Sequence, residues 1–297
     1  LLYNQGTENV GNEMNWITGI GKAIGYIEEN LTEDIDYGEA VKRAGSSVFH
    51  FQRVFGIICG YTLGDYIRMR RLSLAGDKKI IDIAIKYGYD TPESFSRAFA
   101  RFHGLSPTEA RKSGQIKSFS QLSVKLILTG GDTMDYRIER KEGLKVVCKK
   151  RQFAKPGDDY TQTEIPAFWQ ECKTDGTIEK ICMGIPKVSA LPGLLGICFS
   201  EEITEEGFPY GIGAEYTGGS VADGLEIVEI PAYTYAVFTV KGKMPDAFRE
   251  TYRRVCTEFF QQSDYEYGNG VEIEVYPSAD VQNPDYTCEL WIAVKHK

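Results

Sequence analysis

The alternation of apolar and polar positions divides the chain into two textures. Ile20, Ala23, Ile24 and Ile27 fall at helical spacing and predict a helix over 16–31. Through residue 114 short apolar-periodic stretches continue, cut by Gly45, Gly60, Gly76, Gly88 and Gly104, which predicts a run of short helices. After about residue 115 the period shortens. In IKSFSQLSVKLILTGG, Leu122, Val124, Leu126 and Leu128 share one face, and Ser123, Lys125 and Thr129 the other, with Ile127 the exception. That predicts a strand ending in a hairpin at Gly130-Gly131. A second strand is expected over 135–151 and a helix over 163–174, opened by Thr163 with Glu164 in its first turn. Strands are expected over 193–199 and 209–216. The order then repeats: strand 225–240, helix 245–261, strand 271–276, strand 286–294. The expectation is an all-α N-terminal domain followed by an α+β C-terminal domain of two pseudo-symmetric β-α-β-β units.

The helical part contains its own repeat. A shift of 44 residues overlays Ala40 on Ala84, Phe51 on Phe95, Arg53 on Arg97, Phe55 on Phe99 and Gly60 on Gly104. Each unit reads as a short helix, a turn and a longer helix. In the second unit Thr91 suits the N-cap and Pro92 the first helical position, and Phe95, Ala98, Phe99 and Phe102 form one apolar stripe. In the first unit Phe51, Val54 and Phe55 form the stripe, with Phe49, Gln52 and Arg53 on another face. This is the pattern of a double helix-turn-helix domain, in which the second helix of each unit presents polar side chains to base edges. Gln suits adenine and Arg suits guanine. A plain helical bundle with polar outer faces is the alternative for either unit alone.

Composition narrows the classes. The 297 residues are 42% hydrophobic and 26% charged, ordinary for a globular chain of two domains. No apolar run is long enough for a transmembrane helix, and no basic-then-apolar segment marks a signal peptide. Residues 1–13 lack periodicity and precede Met14, so they read as a tail or an added segment. Seven scattered cysteines without a CxxC fit reduced thiols in the cytoplasm. His50, His103 and His296 have no paired spacing, which argues against zinc. No phosphate-binding loop, HExxH or Ser-His-Asp set is present, and no cofactor is expected. The net charge of −8 conceals a split: residues 14–114 carry 14 basic against 12 acidic groups, and residues 132–297 carry 18 against 28. One module facing phosphates and another facing a neutral or cationic molecule would give that asymmetry, and so would an acidic surface kept for solubility.

The stretches AVKRAGSSVFHFQRVFGIICGYTLGDYIRMRRLSLA and KKIIDIAIKYGYDTPESFSRAFARFHGLSPTEARK resemble the DNA-binding domain of AraC/XylS-family transcriptional regulators over residues 20–114. The resemblance implies seven helices within a domain spanning 14–114. It places Val48, Phe49, Gln52 and Arg53 on the first reading helix and Thr91, Glu93, Ser94 and Arg97 on the second. Lys42, Arg68 and Lys112 are candidates for phosphate contacts. One departure stands out: RRLSLAG runs straight into DKKIIDIA at Gly76-Asp77, about six residues short of the family pattern, or about 9 Å of helix.

Residues 117–297 resemble the GyrI-like effector-binding domain found in Rob-type regulators, through LTGGDTMDYRIERKEGLKVV, IPAFWQE, LEIVEIPAYTYAVFTVKGKMPDAF and VEIEVYPSADVQNPDYTCELWIAVK. The resemblance implies a cleft for small aromatic or cationic molecules, as in multidrug sensing. On the last strand Glu289 and Trp291 point one way, and Cys288, Leu290, Ile292 and Val294 the other. A carboxylate beside an indole would attract a lipophilic cation; a solvated sheet face is the alternative. Gly213 takes the place of Glu289 in the other half. Tyr276, Phe238, Tyr235, Tyr233, Trp169 and Tyr210 are candidate walls. Glu272 and Glu274 fit either a pocket or solvent. The expected function is a ligand-responsive transcription regulator, an activator, rather than an enzyme. Its partners are double-stranded DNA, a small effector and RNA polymerase, with no membrane, and it is a monomer or homodimer. The alternative is a small-molecule hydrolase using Glu289.

Overall fold

The computed structural model describes residues 16–44, 48–74, 89, 91–123, 133–154, 160–185, 189–202 and 207–297. The first part is helical: α1 (Trp16–Glu29), α2 (Tyr37–Arg43), α3 (Val48–Cys59), α4 (Leu63–Leu74), α5 (Pro92–His103) and α6 (Pro107–Ser113). The helix ends follow the local sequence. Asp36 caps α2 by accepting the Gly38 and Glu39 N–H groups. Thr91 and Ser106 cap α5 and α6, each followed by proline, and Gly104 and Gly114 close them with positive φ. The junction at Gly76-Asp77, and with it the remaining helix of the expected seven, lies outside the described residues.

The second part begins with β1 (Tyr136–Lys141) and β2 (Leu144–Ala154), then α7 (Tyr160–Thr174), α8 (Thr177–Met183), β3 (Leu194–Cys198) and β4 (Gly207–Glu215). It continues with β5 (Glu226–Ile230), β6 (Tyr233–Lys241), α9 (Asp246–Arg254), a π turn over Val255–Phe259, β7 (Tyr265–Tyr267), β8 (Glu272–Tyr276) and β9 (Thr287–His296). The sheet order is β1-β6-β9-β8-β3-β4-β2-β5, with β7 pairing β9. This is the order two β-α-β-β units give when they meet through β3 and β8. The expected strands 135–151 and 225–240 are each broken into two, the first at Glu142-Gly143 and the second at Pro231, which lacks a ladder donor. The strand expected from Leu122 onward is not formed in its described portion: residues 114–123 are irregular, and 124–132, with the Gly130-Gly131 hairpin, lie outside the described residues. The expected opening of a helix at Thr163 falls inside α7, which starts at Tyr160 and runs through Pro166.

The register sorts the sheet into two faces. Glu272, Glu274, Tyr276, Cys198, Tyr210, Phe238 and Leu290 share the face covered by α7 and α9. Leu195, Ile197, Val237, Ile273, Val275 and Trp291 form a separate apolar cluster on the other face. The apolar core of the first helical unit, including Ile24, Phe51 and Phe55, is continuous with Ala236, Tyr252, Phe259 and Ile292 of the sheet domain. The second helical unit has a small core of its own: Leu72, Phe95, Phe99 and Ala110.

Residues 115–123 are pinned to the helices. Phe119 donates its N–H to Ser73 Oγ at 2.8 Å, and Leu122 donates to Tyr66 Oη at 3.2 Å. The Phe119 ring packs edge-on to Tyr61 and Tyr66. Lys117 donates its N–H to His103 Nδ1 at 3.0 Å, while His103 Nε2 faces the Leu72 carbonyl at 3.2 Å. This fixes a neutral imidazole with its proton on Nε2. Burial, chiefly, and the Lys117 charge lower the His103 pKa below 6.5 against the Leu72 hydrogen bond, which raises it. The unfolded chain binds this proton near pH 6.5, the folded chain only below it. The His103 contribution is therefore complete above that pH and is lost as pH falls toward the folded pKa. We expect urea midpoints to fall between about pH 7.5 and about pH 5.5. His103→Gln should flatten that dependence; an unchanged slope would refute the assignment.

Candidate functional site

Of the two helices expected to read bases, α5 presents exposed side chains and α3 packs against the sheet domain. On α5, Thr91, Glu93 and Arg97 are exposed. Thr91 and Ser94 are committed to the helix end: Thr91 Oγ1 accepts the Ser94 N–H at 3.1 Å, and Ser94 Oγ donates to the Thr91 carbonyl at 2.7 Å. Of the four residues expected to read bases, Glu93 and Arg97 are exposed and lie beyond the cap. Beside them α4 and α5 enclose a groove of about 660 Å³, lined by Arg68, Arg71, Arg97 and Arg101 among others. Arg68 is held by Asp65 and Arg71 by the Leu31 and Glu33 carbonyls. Lys42 and Lys112 are exposed in the last turns of α2 and α6.

On α3 the side chains of Val48, Phe49 and Arg53 lie outside the described residues. Gln52 is 7% exposed, and its Oε1 has no hydrogen-bond partner among the described residues. A base-reading amide was expected in solvent. Instead α3 packs against α9 and α7 of the sheet domain.

The eight expected effector residues separate into three places. The first is a polar-aromatic chain on the helix-covered face. Trp169 on α7 donates its indole N–H to Tyr210 Oη at 3.1 Å. Tyr210 and Tyr276 donate to the same carboxylate oxygen, Glu274 Oε2, at 3.2 and 2.8 Å. Trp169 meets Tyr276 edge-on at 5.4 Å. Burial, and then the adjacent Glu274 charge, push the Tyr276 phenol well above its ordinary range, so it stays a donor. Gly196 makes the room: a Cβ there would stand 2.3 Å from Tyr210 Oη and 2.7 Å from Glu274 Oε2.

The second place is on the opposite face. Trp291 is buried, with Tyr235 edge-on at 5.5 Å and Tyr233 beyond it. Glu289 is not a bare carboxylate there. Arg137 donates to Glu289 Oε1 and Oε2 at 2.7 and 3.1 Å, and Trp291 Nε1 donates to Oε2 at 2.9 Å. Arg137 and Lys141 both lie over the indole. Burial raises the Glu289 pKa, but the Arg137 and Trp291 hydrogen bonds outweigh it and hold the group below its ordinary value. The carboxylate–indole pair therefore does hold a cation, and that cation is the chain's own Arg137. Gly213, which replaces Glu289 in the other half, has no room for a side chain: a Cβ would lie 2.4 Å from the Val147 carbonyl.

The third place holds Phe238 alone of the eight, packed with Tyr136 and Phe259 in the core. Sequence reasoning gave Glu274 little weight and missed Gly196 and Arg137. The signals were the Glu-Ile-Glu-Val-Tyr alternation and the charged RIERK strand, and neither has a meaning until the register supplies its neighbours.

Two helical units followed by a sheet domain, with the matches given next, make the chain a DNA-binding transcription regulator that carries an effector-binding domain. The chain belongs to the family of integron-associated effector binding proteins, which matches residues 137–294, more than half its length. Residues 40–113 match a helix-turn-helix domain, here of AraC type. The HTH-type transcriptional activator AarP of Providencia stuartii is 37% identical over 100 residues, spanning 32% of this chain and 74% of its own. The regulatory protein SoxS of Escherichia coli (strain K12) is 36% identical over 94 residues, spanning 30% and 88%. The transcriptional regulator Rob of Salmonella typhimurium is 32% identical over 100 residues, spanning 32% and 35%. Among solved structures, SAV2435 bound to tetraphenylphosphonium covers 55% of this chain and 94% of that one, at 23% identity and a TM-score of 0.48. Among the described residues, no helix is long and apolar enough to cross a membrane.

Proposed function

We propose that the chain is a one-component activator that reads DNA with α3 and α5 and senses a lipophilic aromatic cation through Glu274, Tyr210, Tyr276 and Trp169. The observation that carries the ligand class is the Glu274 carboxylate, which accepts from the Tyr210 and Tyr276 phenols beside the Trp169 ring. A cation with aromatic substituents would gain charge attraction and ring contact there. Glu289 has its charge already matched by Arg137, so its role is to hold β1 against β9. Reading falls to Arg97 and Glu93 on α5 and to Gln52, Arg53, Phe49 and Val48 on α3. The regulator acts in the cytoplasm as a monomer or homodimer, with RNA polymerase as its second macromolecular partner.

Hydrolysis by Glu289 is the lesser reading. A general base works best with a pKa near the working pH, and Arg137 moves this carboxylate the other way.

Selection from a random duplex library, followed by salt-titrated affinities, tests the DNA half. The expected winner has two half-sites about one helical turn apart. Arg97→Ala should weaken the winner by about 10- to 100-fold and relax one base position, the loss of one bidentate contact at about 1–3 kcal/mol. An equal loss on every sequence would make Arg97 a phosphate contact instead. Quenching of tryptophan fluorescence by tetraphenylphosphonium tests the ligand half. Saturable quenching that Glu274→Gln weakens supports the assignment, and identical titrations of both proteins would overturn it.

A further inference from the structure

The covered first reading helix carries a consequence for regulation, which rests on the DNA-reading role proposed above. A helix packed on one core buries a stripe of about 100° or somewhat more. On α3 the buried residues Phe51, Gln52, Val54, Phe55 and Gly56 span an arc of about 200° at 100° per residue. Phe51, Val54 and Phe55 belong to the core that the first helical unit shares with Tyr252, Val255 and Phe259 of the sheet domain. Gln52 and Gly56 lie to one side of that stripe and are buried too, with α2 and α4 as the neighbours of α3 within the helical part. The elements of the sheet domain against α3 are α9 and α7. Gln52 is buried as well, and its Oε1 finds no hydrogen-bond donor among the described residues. Burying an amide oxygen without a donor is unfavourable, and the same amide in the major groove would find both partners on an adenine.

We propose that α9 is a latch on the first reading helix: the docked sheet domain keeps α3 out of the major groove, and specific DNA binding requires α9 to leave it. The unsatisfied Gln52 keeps the docked state weak enough to be released. The latch also adjoins the effector face. Tyr252 on α9 donates to Glu272 Oε1 at 3.3 Å, and Glu272 lies on the same face of β8 as Glu274, two residues away. An occupant of the Glu274 cluster that shifts β8 or α7 would bias the latch, and its differential affinity for the two states sets how far.

Hydrogen exchange on the full chain tests this in two arms. In the free protein, Gln52→Leu removes the unsatisfied oxygen, so exchange over 246–254 should slow several-fold. Unchanged exchange there would mean that Gln52 is not buried by the docked domain, and would overturn the latch. In the second arm the wild-type chain is saturated with its selected duplex. Residues 91–103 should gain protection while 246–254 exchanges at least tenfold faster. Protection gained at both 48–59 and 91–103 with 246–254 still protected would refute the latch and leave DNA reading intact. No protection at either reading helix would overturn the DNA reading and the latch together.

Discussion

Replacing Phe99 by alanine is expected to unfold the second helical unit and to abolish specific DNA binding while the sheet domain stays folded. Phe99 is 2% exposed and joins Leu72, Phe95 and Ala110 in the small core of that unit. Its ring lies 5.7 Å from Phe95 and 4.0 Å from His103. Truncating a buried phenylalanine costs about 3–5 kcal/mol, a large share of what so small a core supplies. His103 would be disturbed as well, and with it the tie from Leu72 to Lys117. The sheet domain has its own clusters around Trp291 and around Phe168, and none of their members comes from α5. Thermal unfolding should therefore lose an early transition and keep the later one. Affinity for the selected duplex should drop to the level of scrambled DNA, a fall of about 1,000-fold or more. A single, uniformly shifted transition would show instead that the helical units and the sheet melt as one body.

Much of this architecture was legible in the chain because its causes are local. Thr91-Pro92 and Ser106-Pro107 mark helix starts, Gly104 and Gly114 mark ends, and the Phe95/Phe99 spacing marks the buried stripe. The alternation on β9 assigned Glu289 and Trp291 to one face, and the register agrees. What was not legible depends on neighbours far apart in sequence. Arg137 meets Glu289 across 152 positions. Glu274, Tyr210 and Trp169 come from three elements that only the sheet order brings together. Gln52 illustrates the point most sharply. Its local pattern places it off the apolar stripe and in solvent, yet it is buried on a helix that packs against the sheet domain. Periodicity reports how a helix meets its own unit and carries no information about a partner surface that arrives two hundred residues later.

Gly196→Val is expected to abolish effector binding without touching DNA affinity in the absence of ligand. Gly196 lies on β3 opposite Glu274 on one side and Ile212 on the other. Its backbone is ordinary strand, so valine is acceptable to the main chain and favoured by strand propensity. The space is not acceptable. The first carbon added would stand 2.3 Å from Tyr210 Oη, 2.7 Å from Glu274 Oε2 and 3.3 Å from the Trp169 ring. All three are side-chain atoms and can yield, and yielding separates Trp169 from Tyr210 and Tyr210 from Glu274. Valine thus fills the room over the carboxylate and breaks the hydrogen-bond chain that orients it. Binding of tetraphenylphosphonium, followed calorimetrically, should weaken by about 100-fold or more, the combined loss of a charge partner and aromatic contacts worth about 1–2 kcal/mol each. Glu289→Gln is the companion. It removes the charge that Arg137 answers, so it should lower the melting temperature while leaving ligand affinity within a few-fold. If Glu289→Gln abolished binding and Gly196→Val did not, the effector would sit on the Trp291 face, with Arg137 displaced to admit it.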